Sequence, residues 1–252
     1  MTKLTALVIT YNEVENIDGL INNLSFADEC IVVDSFSTDG TYEKLKTHKH
    51  ITTYQHAFKN FAHQKNYALS LANNDWVLFV DADERVPEKL KTEITQILSN
   101  PENSCVAYYS KFQYYYGKKP IRFSGFQTAK SYRLFRVSKC KYNPEKPVHE
   151  ELLVNGKSGL LSHKIQHYSF RDYRHYKEKM KRYAHLKAIE LHKKGKKVTF
   201  FKKHLKPAYR FFNHYLLRLG ILDGKIGYII SKLNAYEVKE RFKELNRLNN
   251  NR

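Results

Sequence analysis

The first hundred residues repeat one design: a short apolar run, a polar turn, then apolar residues at helical spacing. "LTALVI" (4–9) is β-branched and apolar and stops at Thr10-Tyr11-Asn12-Glu13; a helix follows from about Glu15 to Leu24, with Ile17, Leu20, Ile21 and Leu24 on one face. "ECIVVDSFSTDGT" predicts a strand through Ile31 to Val33, a polar turn and a helix starting near Thr41. Ile51 to Tyr54 predicts a third short strand, Ala62 to Ala72 a helix, and "WVLFVDADE" (76–84) a fourth, buried strand. Such alternation points to βα units around a mostly parallel sheet, an α/β fold. Ligands of these sheets sit beyond the carboxyl ends of the strands. The polar clusters at Thr10 to Glu13, Asp34 to Thr41 and Asp81 to Glu84 all fall at those ends and so converge on one crevice.

Residues 105–170 read differently, as short strands ("CVAYYSKFQYYYG", "SYRLFRV", "KIQHYSF") between Gly, Pro, Asn and Lys turns. From about Phe170 the chain turns helical. Tyr173, Tyr176, Met180, Tyr183, Ala184 and Leu191 define one face of a helix whose other face is dense in Lys and Arg. After "KKGKK" comes a second basic helical part with "FFNHYLLRLGILDGKIGYIISKLNAY". The pattern divides the chain at about 170, with a further change of texture near 100.

Charge sharpens this division. The formal net charge is +19 over 252 residues, yet residues 1–100 carry nine Lys/Arg against fourteen Asp/Glu (net −5) and the rest 35 against 11 (net +24). The basic half is suited to an anionic partner such as lipid headgroups, phosphates or nucleic acid. Cys30, Cys105 and Cys140 have neither metal-ligand nor redox spacing and read as buried or free thiols. The first residues lack the pattern of a signal peptide, and no window holds the roughly 18 apolar residues of a membrane span. The expected location is cytoplasmic, with attachment only to a membrane face.

Asp81 and Asp83 follow a strand directly, and in extended geometry their side chains point the same way. With Glu84 beside them they suit a hard divalent cation, Mg²⁺ or Mn²⁺; "DERVPEKLKTEI" equally fits a helix start, where acids complement the macrodipole. Asp39 fits a turn and N-cap, whereas Asp34, one residue past a buried run, is better placed to accept hydrogen bonds from a nucleobase or ribose. In "KPVHEEL" a carboxylate could serve as general base, although Glu in a basic stretch is usually a surface ion pair. His163, His167 and Lys65 complete the candidates; an imidazole beside a carboxylate-bound metal makes chemical sense, and a satisfied structural histidine is the ordinary alternative. Neither GxGxxG nor GxxxxGK[ST] occurs, so dehydrogenase and P-loop readings lack support.

Taken in order, "ALVITYNEVENI", "VVDSFSTDGT", "HQKNYALSLANNDWVLFVDADE", "YRLFR" and "PVHEEL" resemble the family 2 glycosyltransferases, and within them the bacterial lipopolysaccharide core β-glucosyltransferases. The resemblance implies a GT-A fold, Rossmann-like with a mostly parallel sheet, over residues 1–170 (a nucleotide-sugar part to about 100, an acceptor part to 170); the basic helical extension, 171–252, suits docking on an anionic membrane by its Lys, Arg and aromatic pattern, and a helical cap with a solvated basic face is the ordinary alternative. The resemblance further implies inverting transfer from a nucleotide-diphospho-sugar, a UDP-sugar first, to a cell-surface glycan or glycolipid. The family's Asp-x-Asp motif falls on Asp81 and Asp83, with His167 a further metal ligand. The nucleotide residues fall on Thr10, Tyr11, Glu13, Asp34, Lys65 and Asp81, and the catalytic carboxylate on Glu150, with Glu151 adjacent. The common "VDDGS" reads "VDSFS" here, and the Gln-x-x-Arg-Trp motif of processive members is absent. A nucleic-acid-binding protein would explain the basic half but not three acidic strand ends, so nucleic acid is not an expected partner. A sugar nucleotidyltransferase would need a basic, Gly-rich loop where "TYNEVEN" is acidic.

Overall fold

The structure, a computed structural model, describes residues 2–145 and 151–250, the side chain of Lys202 excepted. The chain divides into two units, Met1–Phe112 with Ala129–His167, and Gln113–Thr128 with Tyr168–Arg252.

The first unit begins β1 (Leu4–Thr10), α1 (Ile17–Leu24), β2 (Glu29–Asp34), α2 (Thr41–Lys46), β3 (Thr52–Gln55), α3 (Phe61–Ser70) and β4 (Trp76–Phe79). It continues with β5 (Glu84–Arg85), α4 (Glu88–Ser99) and β6 (Cys105–Tyr116), which runs on into the second unit and pairs there with β7 (Lys119–Ile121). The chain returns through β8 (Lys130–Arg136), β9 (Cys140–Tyr142), β10 (Leu152–Val154), β11 (Lys157–Leu160) and β12 (Ile165–Phe170). The strand order β3-β2-β1-β4 is parallel throughout, as the alternation of strands and helices requires. Beyond β4 the sheet changes character, because β8 pairs antiparallel with both β4 and β6.

All four residues of β4 are buried and six of the seven in β1, so neither strand shows the alternation of a half-exposed sheet. On one face Leu7, Ile31, Val33, Val77, Phe79 and Phe135 pack with Ala62, Ala68 and Leu69 of α3. Helix α1 buries Ile17, Leu20, Ile21 and Leu24, the four positions its spacing predicts. Cys30 and Cys140 are buried free thiols, and burial pushes them up to about 12 and about 11.

The second unit is mainly helical: α5 (Tyr173–Lys193), α6 (Lys206–Phe212) between two π-helical turns (Phe201–Leu205 and Asn213–Leu217), a 3₁₀ turn (Gly220–Asp223) and α7 (Gly224–Asn250). Tyr176, Met180, Ala184 and Ala188 are the buried stripe of α5, packed with Ile230, Leu233, Val238 and Phe242 of α7. The stripe is narrower than the sequence pattern suggests: Tyr173 opens the helix and Tyr183 stands at the stripe's edge, and both are exposed. Asp223 fixes the start of α7, accepting from Arg122 N (3.0 Å), Phe123 N (3.0 Å) and Ser124 Oγ (2.8 Å).

Candidate active site

Register brings the strand ends level. Thr10 pairs with Asp34 and Asp34 with Gln55. On the other side Leu7 pairs with Phe79, and Val80 N donates to the Leu7 carbonyl oxygen at 3.0 Å. Residues 81–84 therefore run past the end of β4 beside the last residues of β1, where such sheets bind ligands.

The two loops after β1 and β2 are laced together. Asn12 N donates to Ser37 Oγ (2.8 Å), Thr38 N to Asn12 Oδ1 (2.8 Å), Glu13 N to Thr41 Oγ1 (2.9 Å) and Val14 N to Asp39 Oδ2 (3.2 Å). Asp39 also accepts from Thr41 N at 3.0 Å, the turn role its spacing suggests. Asn12 and Phe36 both have φ +57°; asparagine tolerates the left-handed region, but for phenylalanine it costs about 1–2 kcal/mol. Asp34 is fully buried and accepts from Ser37 N (2.9 Å), Ser37 Oγ and Gln55 Nε2 (3.4 Å). A carboxylate has about four acceptor sites, so most of its capacity shapes its own loop.

Thr10 Oγ1 is buried at the end of β1 with no hydrogen-bond partner among the described residues. A hydroxyl in that state is costly unless a ligand completes it. Tyr11 is exposed, and Glu13 accepts from Asn16 Nδ2 at 2.6 Å. Lys65, on α3, is buried with Nζ 5.3 Å from the Phe79 ring centre and 5.2 Å from that of Tyr142.

Extended geometry does not persist through Asp81 and Asp83. Glu84 N donates to the Asp81 carbonyl oxygen at 2.9 Å, closing a turn that sends the acids to different partners. Arg133 of β8 directs one Nη2 at Asp81 Oδ2 and at Glu84 Oε1, both 2.7 Å away. Asp83 Oδ2 lies 3.1 Å from His167 Nε2, and His167 Nδ1 lies 3.6 Å from Glu84 Oε1. Phe112 closes the cluster, its ring 5.1 Å from the Arg133 guanidinium and 5.8 Å from the imidazole.

Charge follows from this wiring. Burial works against ionisation of Asp81, but Arg133, and after it Lys65 and His167, hold its carboxyl well below the usual range. Burial, only partly offset by Arg133, and the adjoining Asp81 charge push Glu84 up to about 7. Burial also opposes a charged His167, yet the hydrogen bond it donates to Asp83, with Glu84 and Asp81 behind it, raises the imidazole above its ordinary value.

The sequence reading grouped Asp81, Asp83 and His167 as one metal-ligand set. Among the described residues no three His, Cys, Asp or Glu side chains form a group that could hold a metal ion. The reason is the turn: Asp81 is committed to Arg133, which leaves Asp83 and His167 as the matched pair. One carboxylate completed by substrate phosphates and water is a usual mode for Mg²⁺, and His167 would join it only as the neutral imidazole. Glu150, the expected base, lies outside the described residues; Glu151 is exposed. His163 pairs with Glu93 at 2.8 Å and has a structural partner. Arg133 was not among the expected site residues, although "YRLFR" carries it; an arginine inside a buried strand segment was the available signal.

The parallel β3-β2-β1-β4 sheet with its covering helices is a GT-A-like fold, and comparison with known proteins agrees. The sequence model for "Glycosyl transferase family 2" matches residues 5–153, and the chain belongs to that family. It is 31% identical to an "uncharacterized glycosyltransferase" of Rickettsia conorii, over 98% of this chain and 89% of the relative. It is 26% identical to the lipopolysaccharide core biosynthesis glycosyltransferase LpsC of Rhizobium meliloti, over 94% of this chain and 92% of that one. Among solved structures, the fold is similar to the mannosyltransferase PcManGT of Pyrobaculum calidifontis in complex with GDP-Man and Mn²⁺ (TM-score 0.54, 17% identity, 96% of this chain and 87% of that chain). It is similar also to S. aureus TarS 1–349 in complex with UDP (TM-score 0.51, 16% identity, 96% and 91%).

Proposed function

We propose that this glycosyltransferase is an inverting, metal-dependent hexosyltransferase. It moves a sugar from a nucleotide-diphospho-sugar, a UDP-sugar first, to a hydroxyl of a cell-surface glycan or lipopolysaccharide-core-type acceptor. It works in the cytoplasm, peripherally on the inner face of the cell membrane. The observation that carries the reading is the wired acid turn at the end of β4, with Asp83 and His167 3.1 Å apart, beside the buried Thr10 hydroxyl, which has no partner among the described residues. The UDP complex of TarS, the GDP-Man and Mn²⁺ complex of PcManGT and the lipopolysaccharide role in the LpsC name point the same way.

Asp83 and His167 would hold Mg²⁺ or Mn²⁺, which when bound supplies a Lewis acid for the departing diphosphate. Arg133 fixes Asp81 so that the turn keeps its shape, and buried Lys65 adds positive charge where phosphate charge develops. Thr10, Tyr11, Glu13 and Asp34 contact the nucleoside. Glu150, with Glu151 the neighbouring candidate, takes the proton of the acceptor hydroxyl as its oxygen attacks C1 from the face opposite the diphosphate. The C1–oxygen bond to the acceptor forms, that to the diphosphate breaks, and the nucleoside diphosphate leaves with the electron pair.

The test is transfer from a defined α-linked UDP-sugar. A β-linked product by NMR, with Glu150→Gln and Asp83→Ala each lowering turnover by about a hundredfold or more while circular dichroism is unchanged, supports the proposal. An α-linked product, or near-normal turnover by Glu150→Gln, contradicts it.

A further inference from the structure

Residues 201–217 are helical without a break, as a π-helical turn, α6 and a second π-helical turn, a rod about 25 Å long. Its inner side is anchored within the second unit. His214 is buried with Nδ1 3.0 Å from the Ser124 carbonyl oxygen, and the Phe211 ring stacks on Tyr215 (5.5 Å) and meets Tyr228 edge-on (5.8 Å).

The outer side is the opposite of a normal solvated face. Phe201, Leu205, Tyr209, Phe212 and Leu216 follow one another at steps of four, four, three and four residues, so they share one stripe; Leu217, off the stripe, is exposed as well. They are between 46% and 72% exposed, where an ordinary surface helix would carry polar residues. At 100° per residue, Lys206 lies beside the stripe, with Arg210 and Lys203 further round the helix in the same direction. From 191 to 222 the chain holds nine Lys/Arg and neither Asp nor Glu. Beside the rod, a cleft of about 290 Å³ has Phe242 and Leu245 in its wall with Lys196, Lys197 and Lys206.

An apolar stripe flanked by cations is the composition of a helix that lies in the plane of a membrane interface, its apolar side among the acyl chains and its cations at the headgroups. Among the described residues no helix is long and apolar enough to cross a membrane. A second copy of the chain is a poor occupant: a twofold contact sets the same patch against itself and would bring two such cationic segments together. We infer that the stripe of residues 201–217 is a docking surface for an anionic lipid bilayer. The inference rests on the membrane-face reading proposed above and narrows it from the whole basic extension to one helical rod, since α5 and α7 spend their apolar stripes on each other.

Vesicle flotation of the full chain tests the surface without using activity, so its outcome is independent of whether the proposed sugar transfer is correct. Phosphatidylcholine vesicles with and without phosphatidylglycerol are the probes, with Leu205→Glu, Phe212→Glu and Lys203→Glu as variants at exposed positions. The wild type is expected to float with the anionic vesicles and not the neutral ones. Each apolar-to-Glu change should lower partitioning by about tenfold or more, and Lys203→Glu by about fivefold, with unchanged circular dichroism. Equal flotation on neutral vesicles, no flotation, or variants that float like the wild type would overturn the inference. So would a wild-type dimer on gel filtration that Phe212→Glu converts to monomer without any vesicle binding, because a second copy would then own the face.

Discussion

Arg133 sets one guanidinium nitrogen 2.7 Å from each of two carboxylates that otherwise share a buried turn. Removing a partner from a buried ion cluster costs more than the cluster contributes, because the remaining charges are left without compensation. Arg133→Ala is therefore expected to lower unfolding free energy by about 3–5 kcal/mol, seen as a lower urea midpoint, and Arg133→Lys by less. An unchanged midpoint in Arg133→Ala would show that the turn does not depend on it. The position of the acids past the end of a buried strand was legible in "VDADE", although a helix start fitted the same residues. Their wiring was not, because the arginine that divides them lies 52 positions from Asp81, in a strand that pairs beside β4 only in the folded chain. Asp34 shows the same limit: its place at a strand end was readable, but not that Ser37 and Gln55 would take most of its acceptor sites.

Between elements, the glycines of "LGILDGKIG" act as a packing device. A Cβ on Gly227 would lie 1.7 Å from the Gly220 carbonyl oxygen, closer than any side chain allows. Alanine favours a helix over glycine by about 1 kcal/mol, yet Gly227→Ala should destabilise the chain by several times that, because backbone would have to move. A melting temperature equal to or above the wild type's would show that α7 has room there. Glu93 of α4 holds the turn between β11 and β12 by accepting from Ser162 N (2.7 Å), His163 N (3.0 Å) and His163 Nδ1 (2.8 Å). Burial would raise this carboxyl, but those hydrogen bonds outweigh it and keep it below its ordinary value of 4.5. The stability it lends is thus fully present above about 4.5, the unfolded value, and is lost as pH falls through the lower folded value. Urea titrations of wild type and Glu93→Gln should differ by about 1–2 kcal/mol at neutral pH and converge in acid; a constant gap would contradict this. Helices and parallel strands were readable to within a few residues because strand and helix periods differ. The antiparallel strands after β4 and the narrowness of the α5 stripe were less so, since both depend on which element packs alongside.

For the whole molecule, the uneven charge of the chain becomes the basis of the two proposed roles. Acids gather at strand ends of the first unit, where they suit a cation and a diphosphate, while the cations gather on the second unit around an exposed apolar stripe. The direct test of the first role is donor binding. Thermal shift of the full chain against UDP-, GDP-, CMP- and dTDP-sugars, with and without Mn²⁺, reads it because a ligand of the folded state adds about 2.7 kcal/mol of stability at a hundred times its dissociation constant. The expected result is a rise in melting temperature with a UDP-sugar that requires Mn²⁺ and disappears in Asp83→Ala. Melting temperatures that no sugar nucleotide moves, with or without the metal, or an Asp83→Ala protein that responds like the wild type, would contradict it.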